Sequence, residues 1–99
     1  MDAFIFQADI YCPECAAEIA RGLIPNEDSN RYPVGPFGDG GGEADSPQHC
    51  GACRVFLENP LTGDGESYVR EMVQENPGEV TGLWREFYSY AFESELIDA

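Results

Sequence analysis

A small α+β fold is predicted by three patterns in the 99-residue sequence. Apolar residues alternate along residues 3–10, which is typical of a strand with one buried face. In the C-terminal half, apolar residues recur at helical spacing in two segments. Two CxxC pairs flank a segment rich in glycine and proline. Because a chain of this length is near the lower size limit for a self-sustaining core, a staple between the pairs would have structural value.

The N-terminal elements are predicted to be one strand followed by a short helix. The strand, AFIFQADI, spans residues 3–10 and leads directly into the first cysteine pair. Pro13 stands at a plausible first helical position, and residues 14–23 have a composition that favours a helix. Pro25 then prevents the helix from extending further.

Residues 25–48 are predicted to form a flexible, acidic loop within a single domain that covers residues 1–99. The segment lacks the apolar content that would offset the entropy lost on ordering. After the second cysteine pair, the β-prone run 54–58 is predicted to pair with residues 3–10. This two-stranded, hairpin-like pairing would bring the two cysteine pairs together.

Two helices are predicted to complete the fold. The first runs to about Glu75, and its candidate caps are Thr62, Asp64 and Ser67. Its expected apolar face comprises Tyr68, Val69, Met72 and Val73. The second is predicted to end near Leu96, with a buried face of Val80, Leu83, Trp84, Phe87 and Ala91. Further aromatic residues, Tyr90 and Phe92, are hard to bury together, so this helix is also a candidate homodimer contact.

The four cysteines predict one structural zinc ion. Cysteines at positions i and i+3 can turn both sulfurs toward one cation, and two such pairs complete the tetrahedral shell of a structural zinc site. The predicted ligands are Cys12, Cys15, Cys50 and Cys53. The long segment between the pairs is a small entropic burden, because the cost of loop closure grows only logarithmically with length.

Other uses of the cysteines remain open. A rubredoxin-like iron site would make the protein an electron carrier, although its knuckles usually place glycine soon after the second cysteine, where this chain has Ala16 and Arg54. Disulfides and free buried thiols are further alternatives. His49 precedes Cys50 and competes with the cysteines for a place in the metal shell.

The charge balance favours a protein partner over nucleic acid or membrane. The chain has 19 acidic residues against five basic ones, all arginine, and a formal net charge of −14. Phosphate backbones and anionic membrane surfaces repel such a protein. The N-terminus lacks the basic region of a secretory signal, and paired CxxC motifs without one suggest a reducing compartment. A cytoplasmic protein is therefore predicted.

No enzymatic activity is predicted. A closed four-thiolate shell leaves no coordination position for a substrate or water. The single histidine cannot supply a base, an orienting acid and a nucleophile together. The alternative of a hydrolytic zinc site, with His49 and three cysteines, would require an open shell.

Three segments also carry a family resemblance: FIFQADIYCPEC at the start, GGGEADSPQHCGAC in the centre and FLENPLTGDGESYVREM after it, followed by LWREFY. Together they resemble small, zinc-ribbon-like proteins from phages and environmental sequences. The resemblance implies zinc binding and a phage setting, and hence a location in the host cytoplasm. It suggests an acidic inhibitor that occupies the cationic groove of a host nucleic-acid-binding complex, as DNA mimics do.

Overall fold

A computed structural model describes residues 1–92 of the chain in two compact units. The first unit comprises Met1–Glu43 and Gln48–Pro60. The second comprises Ala44–Pro47 and the chain from Leu61 onward. The predicted α+β class is confirmed, because the described chain combines a three-stranded sheet with helices. Whether residues 1–99 fold as a single domain stays a prediction.

The sheet of the first unit is antiparallel and has the strand order β2-β1-β3. Strand β1 spans Ala3–Phe6, β2 spans Asp9–Tyr11 and β3 spans Val34–Phe37. The first two strands form a hairpin in which Ile5 pairs with Ile10. The prediction of one strand over residues 3–10 is therefore wrong, because the chain reverses within that segment.

The reversal occurs at Gln7 and Ala8, which have φ angles of 49° and 62°. A two-residue hairpin turn with positive φ at both positions matches the twist of the flanking strands, but it is usually built from glycine or asparagine. A backbone hydrogen bond of 2.8 Å, donated by the Gln7 N–H to the Ser29 carbonyl, ties the turn to a distant part of the chain. That tertiary contact stabilises a turn that the residue types at positions 7 and 8 do not predict.

The predicted pairing of residues 54–58 with residues 3–10 is also wrong. Residues 54–58 instead fold back on the segment that precedes the second cysteine pair, with an antiparallel bridge between His49 and Phe56. Two backbone hydrogen bonds of 2.9 Å support the bridge, from Cys50 N–H to the Val55 carbonyl and from Leu57 N–H to the Gln48 carbonyl. Residues 54–58 pair with the segment before Cys50 because the tight turn at Cys50–Cys53 already holds these two segments side by side.

Residues 34–41, which fall within the predicted loop 25–48, are ordered into β3 and a 3₁₀ turn at Asp39–Gly41. The loop prediction is wrong for these residues because their glycines serve close backbone packing. Gly40 is buried with a φ of 62°, and a side chain there would overlap the Leu57 carbonyl oxygen. Its N–H donates a 2.6 Å hydrogen bond to the Met1 carbonyl.

The core of the first unit is centred on the cysteines and β1. Ala3, Cys12, Cys50 and Leu57 are buried together, with Ile10 and Tyr11 packed against them. Asn59 is a fully buried polar residue of this unit. Its amide oxygen accepts a 2.7 Å hydrogen bond from the Gln48 N–H, and its amide nitrogen donates to the Pro60 carbonyl at 3.1 Å. These bonds offset the cost of removing the amide from water.

The helices follow the predictions more closely. Helix α1 spans Pro13–Ala20, α2 spans Gly63–Glu75 and α3 spans Glu79–Phe87. A 3₁₀ turn at Ser89–Phe92 follows α3. Thr62 is the N-cap of α2, as predicted, and its hydroxyl accepts a 3.1 Å hydrogen bond from the Gly65 N–H. The prediction that the last helix continues to near Leu96 is wrong, because α3 ends at Phe87 and Tyr88 leaves the helical conformation; Leu96 itself lies outside the described residues.

The buried face of α3 differs from the prediction. Trp84 and Ala91 are buried as expected, but Val80, Leu83 and Phe87 are about half exposed, at 51%, 50% and 42%. The buried positions in and after this helix are Thr81, Trp84, Tyr88, Ala91 and Phe92. Thr81 can lie inside because its hydroxyl donates a 2.7 Å hydrogen bond to the Asn76 carbonyl. The helix is therefore rotated about its axis relative to the prediction. Thr81 and Tyr88 are buried beside Trp84, and Val80, Leu83 and Phe87 face outward.

Candidate metal site

The first cysteine pair lies at the N-terminal end of α1. Cys12 directly follows β2 and is the N-cap residue, and Pro13 occupies the first helical position. The Cys12 carbonyl accepts a 2.9 Å hydrogen bond from the Ala16 N–H, which closes the first turn. A helical first turn therefore sets the spacing between Cys12 and Cys15.

The second pair lies in a tight turn. The Arg54 N–H donates a 3.0 Å hydrogen bond to the Cys50 carbonyl, and the Ala52 N–H lies 3.5 Å from the Cys50 Sγ. Arg54 has a φ of 69°, a conformation usually adopted by glycine. The backbone thus wraps around the Cys50 sulfur and presents N–H groups to it.

A backbone hydrogen bond joins the turn of the second pair to the strand that precedes the first pair. The Gly51 N–H donates to the Ile10 carbonyl at 2.8 Å, and Ile10 lies in β2, two residues before Cys12. Strand β2 therefore takes the role that the sequence prediction assigned to a pairing with residues 54–58.

The four predicted ligands converge. The Sγ atoms of Cys12, Cys15, Cys50 and Cys53 all lie within 4.8 Å of one another. The Cys12 and Cys53 sulfurs are 3.7 Å apart. Zinc–thiolate bonds of about 2.3 Å in a tetrahedron place neighbouring sulfurs about 3.8 Å apart, so the donor set fits a tetrahedral cation. A disulfide would require about 2.05 Å, and all four cysteines are free.

The thiols differ in acidity. Burial would raise the pKa of Cys50, but hydrogen bonds from the backbone N–H groups of Cys12, Cys53 and Ala52 outweigh it and lower that pKa to about 6. Burial raises the pKa of Cys12. Hydrogen bonds with the Cys12 and Cys50 side chains raise the pKa of Cys15 strongly. The protein alone thus favours one thiolate in the cluster, whereas a bound cation favours deprotonation of every ligand.

His49 has a different role from that of a ligand. Its Nδ1 donates to the Arg54 carbonyl at 2.9 Å, and its ring stacks on Phe56 with a centroid distance of 5.3 Å. The metal-binding cluster comprises the four cysteines without His49. The histidine therefore stabilises the turn that contains Cys50 and Cys53.

One side of the site is more accessible than the other. Cys12 and Cys50 are buried, whereas Cys53 is exposed. Beside Cys12 and Cys53 lies a mostly apolar cleft of about 360 Å³ whose wall includes Met1, Pro13 and Val55. Sequence reasoning missed this environment, because Met1 and Val55 carry no motif and reach the site only through the fold.

The fold and the site together define a small α+β protein with a structural metal-binding cluster of four cysteines. Comparisons with protein-family models, curated proteins and solved structures found no match. Within residues 1–92, no helix has both the length and the apolar character needed to cross a bilayer.

Proposed function

We propose that this protein is a non-enzymatic, zinc-stabilised module that binds a cationic surface of another protein. The observation that carries the proposal is the convergence of four sulfurs in a closed donor set, within a chain of net charge −14. The cysteines then supply architecture, and the acidic surface supplies recognition.

Zinc is the proposed cation because four thiolates in a tetrahedral arrangement are its usual structural shell. The ion would be held by Cys12, Cys15, Cys50 and Cys53, and its chemistry there would be to neutralise thiolate charge and cross-link the two turns. Since four thiolates outweigh one divalent cation, the metal-loaded protein would be more acidic still.

Most carboxylates in the described chain have no basic neighbour. The ion pairs within residues 1–92 are Arg21–Glu18 at 3.9 Å and Arg31–Asp28 at 3.8 Å, both between exposed side chains. Such exposed pairs hold little interaction energy. The remaining acidic surface keeps its negative potential and can steer a cationic partner into contact.

The contact surface that we propose is the outer side of α2 and α3. Glu71, Glu75 and Glu86 are exposed there. Val80 and Leu83 of α3 are also about half exposed. Such a surface suits a partner segment that is both basic and partly apolar, as in other amphipathic helix recognition. A homodimer through the same helix is less favoured, because two copies of a −14 chain repel each other.

The resemblance to phage proteins supports a more specific form of this proposal. In that setting the partner would be a host protein whose cationic groove normally binds nucleic acid, and occupation of the groove would inhibit it. Charge complementarity of this kind gives a fast association rate that falls with added salt.

Metal analysis tests the first half of the proposal. Protein purified from iron-sufficient medium is expected to be colourless and to contain one equivalent of zinc, because the four sulfurs can hold one ion. A red protein with visible absorption and bound iron would instead establish the rubredoxin-like alternative.

Affinity capture tests the second half. The immobilised protein is expected to retain partners from a host extract enriched in nucleic-acid-binding proteins at low salt and to release them at high salt. Combined replacement of Glu71, Glu75 and Glu86 by glutamine is expected to abolish capture. The matched control, Asp2→Asn with Glu27→Gln and Glu43→Gln, removes the same charge from exposed positions of the first unit and is expected to retain most of it. Salt-insensitive capture, or none, would contradict the proposal.

A further inference from the structure

We propose that Arg70 and Arg85 form a binding site for a carboxylate attached to an apolar body. The two arginines line one cleft of about 380 Å³ in the second unit. Among residues 1–92, its wall also includes Val73, Gln74 and Phe92. The cleft lies apart in sequence from the cysteines. It involves α2 and α3, as the proposed contact surface does, but none of its lining residues is among those named for that surface.

Both guanidinium groups are held in place by uncharged partners. Arg70 donates to the Ala91 carbonyl at 3.3 Å and to the Ser67 hydroxyl at 3.2 Å. Arg85 lies over the Phe92 ring, 5.5 Å from its centroid. These contacts orient the side chains without neutralising their charge.

Neither arginine has a carboxylate within ion-pair distance among residues 1–92, where the pairs involve Arg21 and Arg31. This is unexpected in a chain that offers 19 acidic residues to five basic ones. Two of the five positive charges of the protein therefore face one cleft and are available to an anion.

The chemistry of the cleft favours a carboxylate. The planar guanidinium fork matches the two oxygens of a carboxylate or phosphate. Because the protein as a whole carries a charge of −14, a singly charged anion meets less repulsion than a multiply charged phosphate. Phe92 and Val73 supply apolar surface for the body that carries the anion.

The carboxylate can come from two sources. One is a separate molecule, and the other is the chain itself, because Glu93 and Glu95 follow Phe92 in the sequence. Either source would supply the same chemical group, and a titration with matched variants distinguishes them.

The test is an NMR titration of the whole protein with benzoate, followed through the arginine side-chain Nε–Hε signals. Benzoate is expected to shift the signals of Arg70 and Arg85 saturably, whereas benzamide, its uncharged counterpart, leaves them in place. Arg85→Gln is expected to weaken benzoate binding by about tenfold or more, because a charged hydrogen-bond donor is lost. The control Arg21→Gln alters an exposed arginine of the first unit and is expected to bind benzoate as the unmodified protein does.

The combined variant Glu93→Gln with Glu95→Gln identifies the source. Equal benzoate affinity in this variant and the unmodified protein supports a separate ligand. Binding that appears or strengthens only in the variant supports occupation by the chain's own carboxylates. Absence of saturable shifts in both proteins, equal affinity of Arg85→Gln, or an equal response to benzamide would overturn the proposal.

Discussion

Replacing Cys12 by serine is expected to lower the free energy of unfolding of the metal-loaded protein by several kcal/mol. Cys12 is buried, and its sulfur lies 3.7 Å from that of Cys53 in the donor set. In a small metal domain, the free energy of metal binding is part of the free energy of folding, so a lost ligand is a lost share of stability. Chemical denaturation with one equivalent of zinc measures the change.

The control for this variant is Ala52→Ser, which adds a hydroxyl at an exposed position between two ligands and is expected to leave stability nearly unchanged. A chelator should destabilise the unmodified protein to about the level of Cys12→Ser and should affect that variant little. If chelation left the melting temperature of the unmodified protein unchanged, the metal would have no structural role.

Gly40→Ala is expected to have the second largest effect, a loss of about 3 kcal/mol. The φ of 62° at Gly40 is costly for any residue with a Cβ, and that Cβ would overlap the Leu57 carbonyl oxygen and come within 2.9 Å of the Asn59 N. Both contacts are with backbone atoms, so relief requires the chain itself to move. Equilibrium unfolding in denaturant measures the loss.

Gly38→Ala is the matched control, two residues away. Gly38 has a φ of −65°, and a Cβ there meets no atom within 4 Å. The change is expected to alter stability by less than about 0.5 kcal/mol. Equal behaviour of the two variants would mean that the 3₁₀ turn at Asp39–Gly41 does not pack against residues 57–59.

Local signals were sufficient to predict the metal site and most helices. The spacing of the cysteines identified all four members of the cluster. Each CxxC turn directs two sulfurs toward one cation, so the local spacing is enough to predict the ligand set. Thr62 was identified as a cap by the same kind of local chemistry. These features depend on residues within about one turn of each other.

The strand pairing could not be predicted because it depends on distant contacts. Gln7 and Ala8 form a tight turn without the usual glycine, and β3 lies in a segment whose glycines and prolines resemble those of a flexible loop. For α3, helical periodicity predicted the helix, but two different faces of that helix carry apolar residues, and the periodicity does not show which face is buried. The face that contains Thr81 and Tyr88 is the buried one. Because Thr81 is polar, the apolar periodicity of the sequence does not identify this face.

Arg54 weakens one sequence argument about the identity of the metal, for the second cysteine pair. The lack of glycine after the second cysteine of each pair disfavours an iron-type knuckle, yet Arg54 adopts the left-handed conformation that glycine would supply. The backbone around Cys50 therefore has the form that presents N–H groups to sulfur. Metal analysis of the purified protein distinguishes zinc from iron.

Strand β3 lies between the two cysteine pairs in the sequence, so a metal bound to the cluster would also affect the stability of this strand. A cation bound to both pairs closes the intervening chain into a ring, and β3 and the turn at Asp39–Gly41 belong to that ring. Ring closure restricts the unfolded chain, as a disulfide does, and lowers the entropy lost when the enclosed residues order. With a cation bound, the sheet edge formed by β3 would therefore gain stability from an ion that it does not itself ligate.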